Sequence, residues 1–536
     1  MAPNVQRAQV GSSIGPWVAP FVVNTAIAAS CLAAVFGLSW GVRRTSLPAV
    51  LRLVLVWTHA AVWLALLSTV TALVLRPATW LDVRAALQFS SSAPWDLGGD
   101  YARFENADQL PPRWARLQRT LEDEYRRSFG FLSGPAPQRK VDLDGGPRPD
   151  VVFIVLESWR PDMLTPAIMP RLTRIAAQGW VSRTEHHVGT NRSELGLYSL
   201  LYGDSSLKYE RTLDVKRRPL FAHALKSAGY RTVFITGHPR KWYRREEFIN
   251  DECWDEYVRT DQGTWAEWDR RAFQELKRRL GRPSRQPIAA NLLLMTSHYD
   301  YRAPKSHERF VPTSLTAITD KLPSDPLERN GVHFADQPMS VIGPEARSIL
   351  WNRYRNSMLY MDDLVGGFVE SLDPRRTVVV ITGDHGEAFG EGDLFGHVHC
   401  FRRTPTHTPL IVWGQAVPAG GSSQRPTCHV DVMPTVFALL GASRKQLQVL
   451  PGRDLLSTNP ADCVRHSQRF YFSIARSSFA SELLLVSKQR RLRLLVDRKE
   501  PRVVPLHFEG SEGEILTEEP TNADVDDFGE RFRELQ

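Results

Sequence analysis

Residues 378 to 399 read VVVITGDHGEAFGEGDLFGHVH. Four apolar β-branched residues in succession, with no polar alternation, suit a strand buried on both faces of a sheet. The run stops at Gly383, Asp384, His385, Gly386 and Glu387, which an apolar core accepts only when they are partnered. A strand that ends in an acid and an imidazole delivers both to the rim where open α/β sheets gather their ligands.

Working outward, the same kind of apolar run recurs at Val151 to Leu156, Thr232 to Thr236, Ile288 to Met295, Thr377 to Ile381 and Leu410 to Trp413. Amphipathic stretches lie between them, among them Met169 to Gln178, Leu220 to Ala228 and Tyr354 to Leu372. This alternation predicts an α/β fold with a mostly parallel sheet flanked by helices. From Phe470 the pattern becomes short alternating runs, Phe470 to Ile474, Leu483 to Val486, Leu492 to Val496 and Val503 to Phe508, which predict a small antiparallel sheet. The last residues are acidic and are expected to fray.

Two other strand ends carry polar residues. The run at 151 ends in Glu157 and Ser158, and the run at 288 in Thr296, Ser297, His298 and Tyr299. Singly, an acid after a strand is an ordinary cap or turn residue. Together, Glu157, Asp384 and His385 at matching strand ends form a candidate site for one divalent metal ion. Oxygen and nitrogen ligands favour Zn or Mn, and Mg or Ca become possible with more oxygens.

The ordered set VVFIVLESWRPD, MPRLTRIAAQG, GTNRSELGLYSLLYG, VVVITGDHGEAFGEGDLFGHVH and TPLIVWG resembles the sulfatase-like branch of the alkaline phosphatase superfamily. HVDVMPTVFALLG and GRDLL match its carboxyl-terminal part, so the resemblance spans roughly Pro149 to Leu456. It implies an alkaline phosphatase-like fold in which Glu157, Asp384 and His385 hold a metal beside a side-chain nucleophile. The Glu157-Ser158 pair is similar to lipoteichoic acid synthases and phosphoethanolamine transferases. The Cys or Ser with Pro and Arg that matures to formylglycine in sulfatases is absent, because Glu194, Leu195, Gly196 and Leu197 follow Ser193.

Counting back from Gly203, Ser193 occupies the expected nucleophile position and would be a further metal ligand. The expected helix beginning beside it offers unpaired N–H groups to an oxyanion. Thr190 is the competitor, because the similar synthases use a threonine. By the same resemblance, His298 and His397 contact the transferred group and serve as general acids. His399 and His238 are weaker candidates. The implied activity is transfer of a phosphoethanolamine- or phosphoglycerol-type head group through a covalent Ser/Thr intermediate. A tethered phosphate or sulfate ester hydrolase is the first alternative, and a lipid-binding envelope regulator with little activity is the second.

Residues 17 to 40 carry no charged side chain, and 53 to 75 contain only His59 as a titratable group. At about 1.5 Å per residue each can cross a hydrocarbon core of about 30 Å. Arg43, Arg44 and Arg52 lie between them, which places the loop in the cytoplasm and both chain ends outside. A signal peptide needs only one, shorter apolar region. The expected organisation is a two-helix membrane anchor over 1–76, a juxtamembrane connector and linker over 77–148, a catalytic domain over 149–460 and a C-terminal β subdomain with an acidic tail over 461–536. Helical spacing near Trp114 to Tyr125 falls in the connector, and the Gly- and Pro-rich stretch from Gly130 to Asp150 reads as linker.

The net charge of +8, from 67 basic and 59 acidic residues, is scattered, and no nucleic-acid motif accompanies it. Membrane lipids and a phospholipid or other phosphate or sulfate ester are the expected partners, with nucleic acid excluded. Cys31 lies in the anchor, and Cys253, Cys400, Cys428 and Cys463 lack metal-type spacing and are available for disulfides outside the cytoplasm.

Overall fold

The run at 151 to 156 becomes the middle of a sheet because both of its faces find apolar partners. Val152, Ile154 and Leu156 enter one core layer, and Val151, Phe153 and Val155 enter the other. In this computed structural model the described residues are 110–132, 135–143, 145–238, 242–281, 286–314, 343–397, 402–423, 426–457, 469–473, 480–486, 490–497, 502–510 and 515–533. The stretches assigned to the membrane lie outside them, as do His399, Cys31, Cys400 and Cys463. No helix among the described residues is long and apolar enough to cross a membrane.

The main sheet has eight strands: β1 (Asp150–Leu156), β2 (Trp180–Ser182), β3 (Arg231–Thr236), β4 (Glu256–Arg259), β5 (Ile288–Leu294), β6 (Thr377–Gly383), β7 (Leu410–Gly414) and β8 (Gly421–Ser422). Their spatial order is β8, β2, β7, β6, β1, β5, β3, β4. Only β7 runs against its neighbours, and every other pairing is parallel.

Helices α1 (Pro112–Leu132), α2 (Pro170–Gln178), α3 (Ser193–Tyr202), α4 (Leu220–Ser227), α5 (Trp265–Leu280), α6 (Pro344–Met361), α7 (Val432–Leu439) and α8 (Asn522–Arg533) complete the framework. Helices α2, α5 and α6 cover one face of the main sheet, and α3, α4 and α7 the other. A helix hidden on all sides must be apolar all round, and α3 is: from Glu194 to Tyr202 every residue is buried. It ends at Gly203, whose φ of 59° is the left-handed conformation that closes helices.

The C-terminal strands β9 (Arg469–Ser473), β10 (Ala480–Val486), β11 (Arg491–Asp497), β12 (Val503–Glu509) and β13 (Ile515–Leu516) form the expected antiparallel sheet in sequential order. Its apolar face packs with Leu117, Leu121 and Tyr125 of α1 and Val525 and Phe528 of α8. The acidic end of the chain is therefore a docked helix through 533 and not the frayed tail the sequence predicts. The stretch read as linker also differs. Val141 and Leu143 are buried against the α3 side of the main sheet, Arg139 pairs with Asp204 at 2.7 Å, and the Ala136 N–H donates to Thr212 Oγ1 at 2.8 Å. Its Gly and Pro content reports irregular backbone, not solvation. Cys253 and Cys428 are both buried and are not joined to each other in a disulfide.

Candidate active site

Strands β5, β1 and β6 are parallel neighbours in register, so their carboxyl ends arrive level. Leu156 lies opposite Leu294 and Gly383, and the next residues extend the ladder, with Glu157 N donating to Leu294 O and Asp384 N to Leu156 O, both at 3.3 Å. Glu157, Asp384 and His385 are thereby gathered, wholly buried, with one ligand atom from each lying within 4.8 Å of the others. Glu157 Oε1 is 3.1 Å from His385 Nε2.

Backbone groups orient this set. Asp384 Oδ1 accepts from the N–H groups of Ser158 and His385 at 3.0 and 2.9 Å. His385 Nδ1 lies 2.7 Å from Gly386 O and donates to it, which leaves the lone pair on Nε2. Ser158, at a φ of 55°, donates through Oγ to Glu387 Oε2 at 3.0 Å. The other Glu387 oxygen takes His397 Nδ1 at 3.0 Å, and the His397 ring stacks on His385 with centroids 3.8 Å apart.

The electrostatics identify what the set lacks. Burial raises the Asp384 carboxyl well above its ordinary value, and the nearby Glu157 charge pushes the same way. Burial also works to raise Glu157, but the hydrogen bond and charge of His385 hold it well below. His385 is discouraged from protonation by burial yet driven up to about 10 by Asp384 and Glu157. Two buried acids thus compete for one imidazolium, and Asp384 Oδ2 accepts no hydrogen bond. A divalent cation would answer that demand.

Ser193 completes the group. Its Oγ lies 3.1 Å from His385 Nε2 and 3.3 and 3.4 Å from the Glu157 oxygens. It is the first residue of α3, which can come this close because position 196 is glycine: a Cβ there would sit 2.1 Å from Asp384 O. Thr190, also buried, uses Oγ1 to accept from Arg192 N at 3.2 Å and so shapes the turn before Ser193. His298 Nδ1 lies 2.8 Å from Tyr299 O, its ring is edge-on to Trp265, and its charge reaches Glu157. His238 lies 3.0 Å from Arg245 Nη1.

Several contributors carried no assigned role in the sequence reading. Arg245 is buried with Glu194, Glu157 and Asp384 as its charge partners, a cation beside the acids. Asn191 Nδ2 donates to His397 O at 2.8 Å and ties the Ser193 turn to the loop after β6. Asp269 holds the end of β5, accepting from the N–H groups of Met295 and Thr296 and from the Thr296 hydroxyl. Its signal was available, because Asp269 interrupts the buried stripe Ala266, Ala272, Phe273 and Leu276 of α5.

The sulfatase family model matches residues 149–442, just over half of the chain. Mouse steryl-sulfatase is 32% identical over 160 residues, which are 26% of this chain and 24% of that protein. The chain thus spans about a quarter of that relative's length. A phosphonate monoester hydrolase from Silicibacter pomeroyi superposes with a TM-score of 0.50 at 18% identity, covering 66% of this chain and 89% of that one. The lipoteichoic acid synthase LtaP from Listeria monocytogenes gives 0.49 at 16% identity, covering 76% and 96%. With the family match covering more than half of its length, this chain belongs to the sulfatase family.

Proposed function

We propose that the chain is a membrane-anchored, metal-dependent enzyme that transfers a phosphoryl-linked head group, of phosphoethanolamine or phosphoglycerol type, between lipid-associated molecules. The catalytic domain stands outside the cytoplasm, held there by the spans at 17–40 and 53–75. The observation that carries the reading is the Ser193 hydroxyl, within 3.4 Å of both Glu157 and His385. A serine without a formylglycine maturation signal is suited to attack phosphorus, where the covalent ester it forms can be passed to an acceptor.

Glu157, Asp384, His385 and Ser193 would hold the cation, with Zn or Mn suiting the donor set best. When bound, it supplies Lewis acidity and lowers the pKa of the attacking hydroxyl. The chain's own residues do the rest. Ser193 gives up its proton to solvent and bonds to phosphorus as the phosphorus–oxygen bond to the lipid alcohol breaks. The departing oxygen takes a proton from His298. N–H groups at the start of α3 and the Arg245 guanidinium stabilise the phosphoryl oxygens. In the second half the acceptor hydroxyl attacks phosphorus and its proton passes to His397, while the Ser193 ester bond breaks and the Ser193 oxygen takes back a proton from solvent. Burial lowers the His397 pKa and Nδ1 is committed to Glu387 Oε1, so this imidazole is neutral at neutral pH and can take a proton on Nε2.

Purified full-length protein in phospholipid vesicles, supplied with labelled head-group donors and divalent metals, tests this. The expected result is label on a lipid or glycan acceptor. Free head group alone would make the enzyme a tethered hydrolase, and lipid binding without turnover at any metal would leave a binding module. A periplasm-dependent reporter fused to the carboxyl terminus should be active, and an inactive fusion overturns the orientation.

A further inference from the structure

A second cluster of metal-type ligands lies behind the Ser193 turn. Two short segments pair in parallel there, His186–His187 with Thr427–Cys428, and His187 also bridges His407 in antiparallel fashion. One donor atom each from Glu185, His187 and His407 falls within 4.8 Å of the others. The two imidazoles are 6% and 3% exposed, and their centroids are 3.8 Å apart. His186, on the alternate face, is used elsewhere, with Thr427 Oγ1 at Nδ1 and His429 Nδ1 at Nε2, both 2.9 Å away.

The hydrogen bonds around His407 fix which nitrogen carries its lone pair. Thr406 Oγ1 donates its single proton to Arg402 O at 2.8 Å, so at its 3.1 Å contact with His407 Nδ1 the hydroxyl must accept. The proton is then on Nδ1 and the lone pair on Nε2, the arrangement a metal-binding histidine needs. Glu185 meets both Thr184 Oγ1 and Arg403 through Oε1, so Oε2 can serve as the ligand. Two cations stand near His407, but Arg403 is paired with Glu185 and Arg491 lies 3.8 Å from Glu509.

We propose that Glu185, His187 and His407 bind a second divalent transition-metal ion of the zinc class. Two imidazoles and a carboxylate suit Zn, whereas Ca and Mg require more oxygens. Glu185 is half-buried, so water reaches the remaining coordination position. The ion ties together two segments that shape the active site. Val188 N donates to Thr406 O at 3.0 Å just ahead of Thr190, while Pro405 O and Thr408 Oγ1 accept from Gly386 N and Gly383 N at 2.9 and 2.8 Å. It would therefore hold the Ser193 turn against the Asp384–Gly386 turn without touching substrate.

The test uses metal-stripped full-length protein titrated with Zn(II) alone, with elemental analysis after gel filtration and melting curves. Wild type should retain two Zn per chain, and Glu157→Gln/Asp384→Asn one, with a Zn-dependent rise in Tm. Adding His187→Gln or His407→Gln should remove that remaining ion and the rise. A Glu157→Gln/Asp384→Asn chain that holds no Zn, or whose Zn is unchanged by the histidine substitutions, overturns the proposal. If circular dichroism shows that the histidine variants do not fold, Glu185→Gln, isosteric and half-buried, decides. Its Zn affinity at this site should fall at least about tenfold, and unchanged affinity overturns the assignment. Head-group transfer plays no part in these readouts, so their outcome is independent of the proposed reaction.

Discussion

The carboxyl ends of β1 and β6 and the inner face of the C-terminal sheet are equally shielded from water, yet they are built from opposite materials. At the strand ends Glu157, Asp384 and His385 are each 0% exposed, whereas the same burial at the C-terminal sheet belongs to Leu485, Leu492, Val503 and Phe508 of its strands and Phe528 of α8. Burying apolar side chains stabilises a fold, and burying charged ones costs stability unless they are paired. The first region has been filled for chemistry and the second for cohesion. Substitutions should therefore separate the two, with loss of activity and little loss of stability at one, and the reverse at the other.

The largest effect is expected at Ser193. Ser193→Ala should lower turnover by at least about 10³-fold, as removal of a nucleophile does, while leaving Tm within a few degrees of wild type. Thr190→Ala disturbs only the turn and should cost roughly 10- to 100-fold, the scale of a misplaced reacting group. A covalent phosphoryl adduct trapped on Thr190 and located by mass spectrometry would reverse the roles. In the C-terminal core, Phe528→Ala removes a fully buried ring of α8 that stacks on Phe508. A loss of roughly 3–5 kcal/mol in denaturant unfolding is expected, with turnover per folded molecule unchanged. If activity falls in step with burial there as well, the two regions are not separable in the way their composition implies.

What was legible in the sequence follows the same division. β1, β5 and β6 stand out because a strand buried on both faces needs an unbroken apolar run, and their polar ends point to the site. β2 and β4, three and four residues long, leave no such run. Arg245 was invisible, because it sits in the charged run Arg244-Arg245-Glu246-Glu247. Arg244 pairs with Glu210, Asp214 and Glu247, while its neighbour turns inward, a distinction set by tertiary packing. The docking of α8 was hidden for a similar reason. Its apolar pair, Val525 and Phe528, is meaningful only against α1 and the sheet, and α1 lies some four hundred residues away in the chain.

Gly196 is the position where packing and chemistry meet, since α3 approaches Asp384 through it. Gly196→Ala would place a methyl group 2.1 Å from the Asp384 carbonyl oxygen, a backbone atom that cannot swing aside. Overpacking of this kind costs typically about 1–3 kcal/mol, less than Phe528→Ala, but here activity should fall with stability because Ser193 and Asp384 are pushed apart. Wild-type turnover in a Gly196→Ala protein of lowered Tm would show that the Ser193–Asp384 spacing is not critical.

The smallest effect is a change of slope. Asp269 is fully buried behind the end of β5, and burial, aided by the Glu157 charge, raises its carboxyl from 3.8 to about 7 against the hydrogen bonds from Thr296 and Met295. With the folded pKa above the unfolded one, the folded chain holds a proton that the unfolded chain has released between these values. The stability linked to that proton is complete below pH 3.8 and is lost as pH rises through about 7. Asp362, raised by burial to about 6, acts in the same direction, and His429, depressed by burial to about 3, acts in the opposite one, so the wild-type slope alone is ambiguous. The difference between wild type and Asp269→Asn isolates the group. The amide carries a fixed penalty, because its NH2 must face the Met295 N–H or the Thr296 donors, but that penalty does not vary with pH. Denaturant unfolding from pH 4 to pH 8 in the presence of a chelator should therefore show the variant gaining on wild type as pH rises, and the gain should level off near pH 7. A difference that stays constant across this range would mean that Asp269 is already ionised in the folded chain, and that the region around the strand ends accommodates a further buried negative charge beside Glu157.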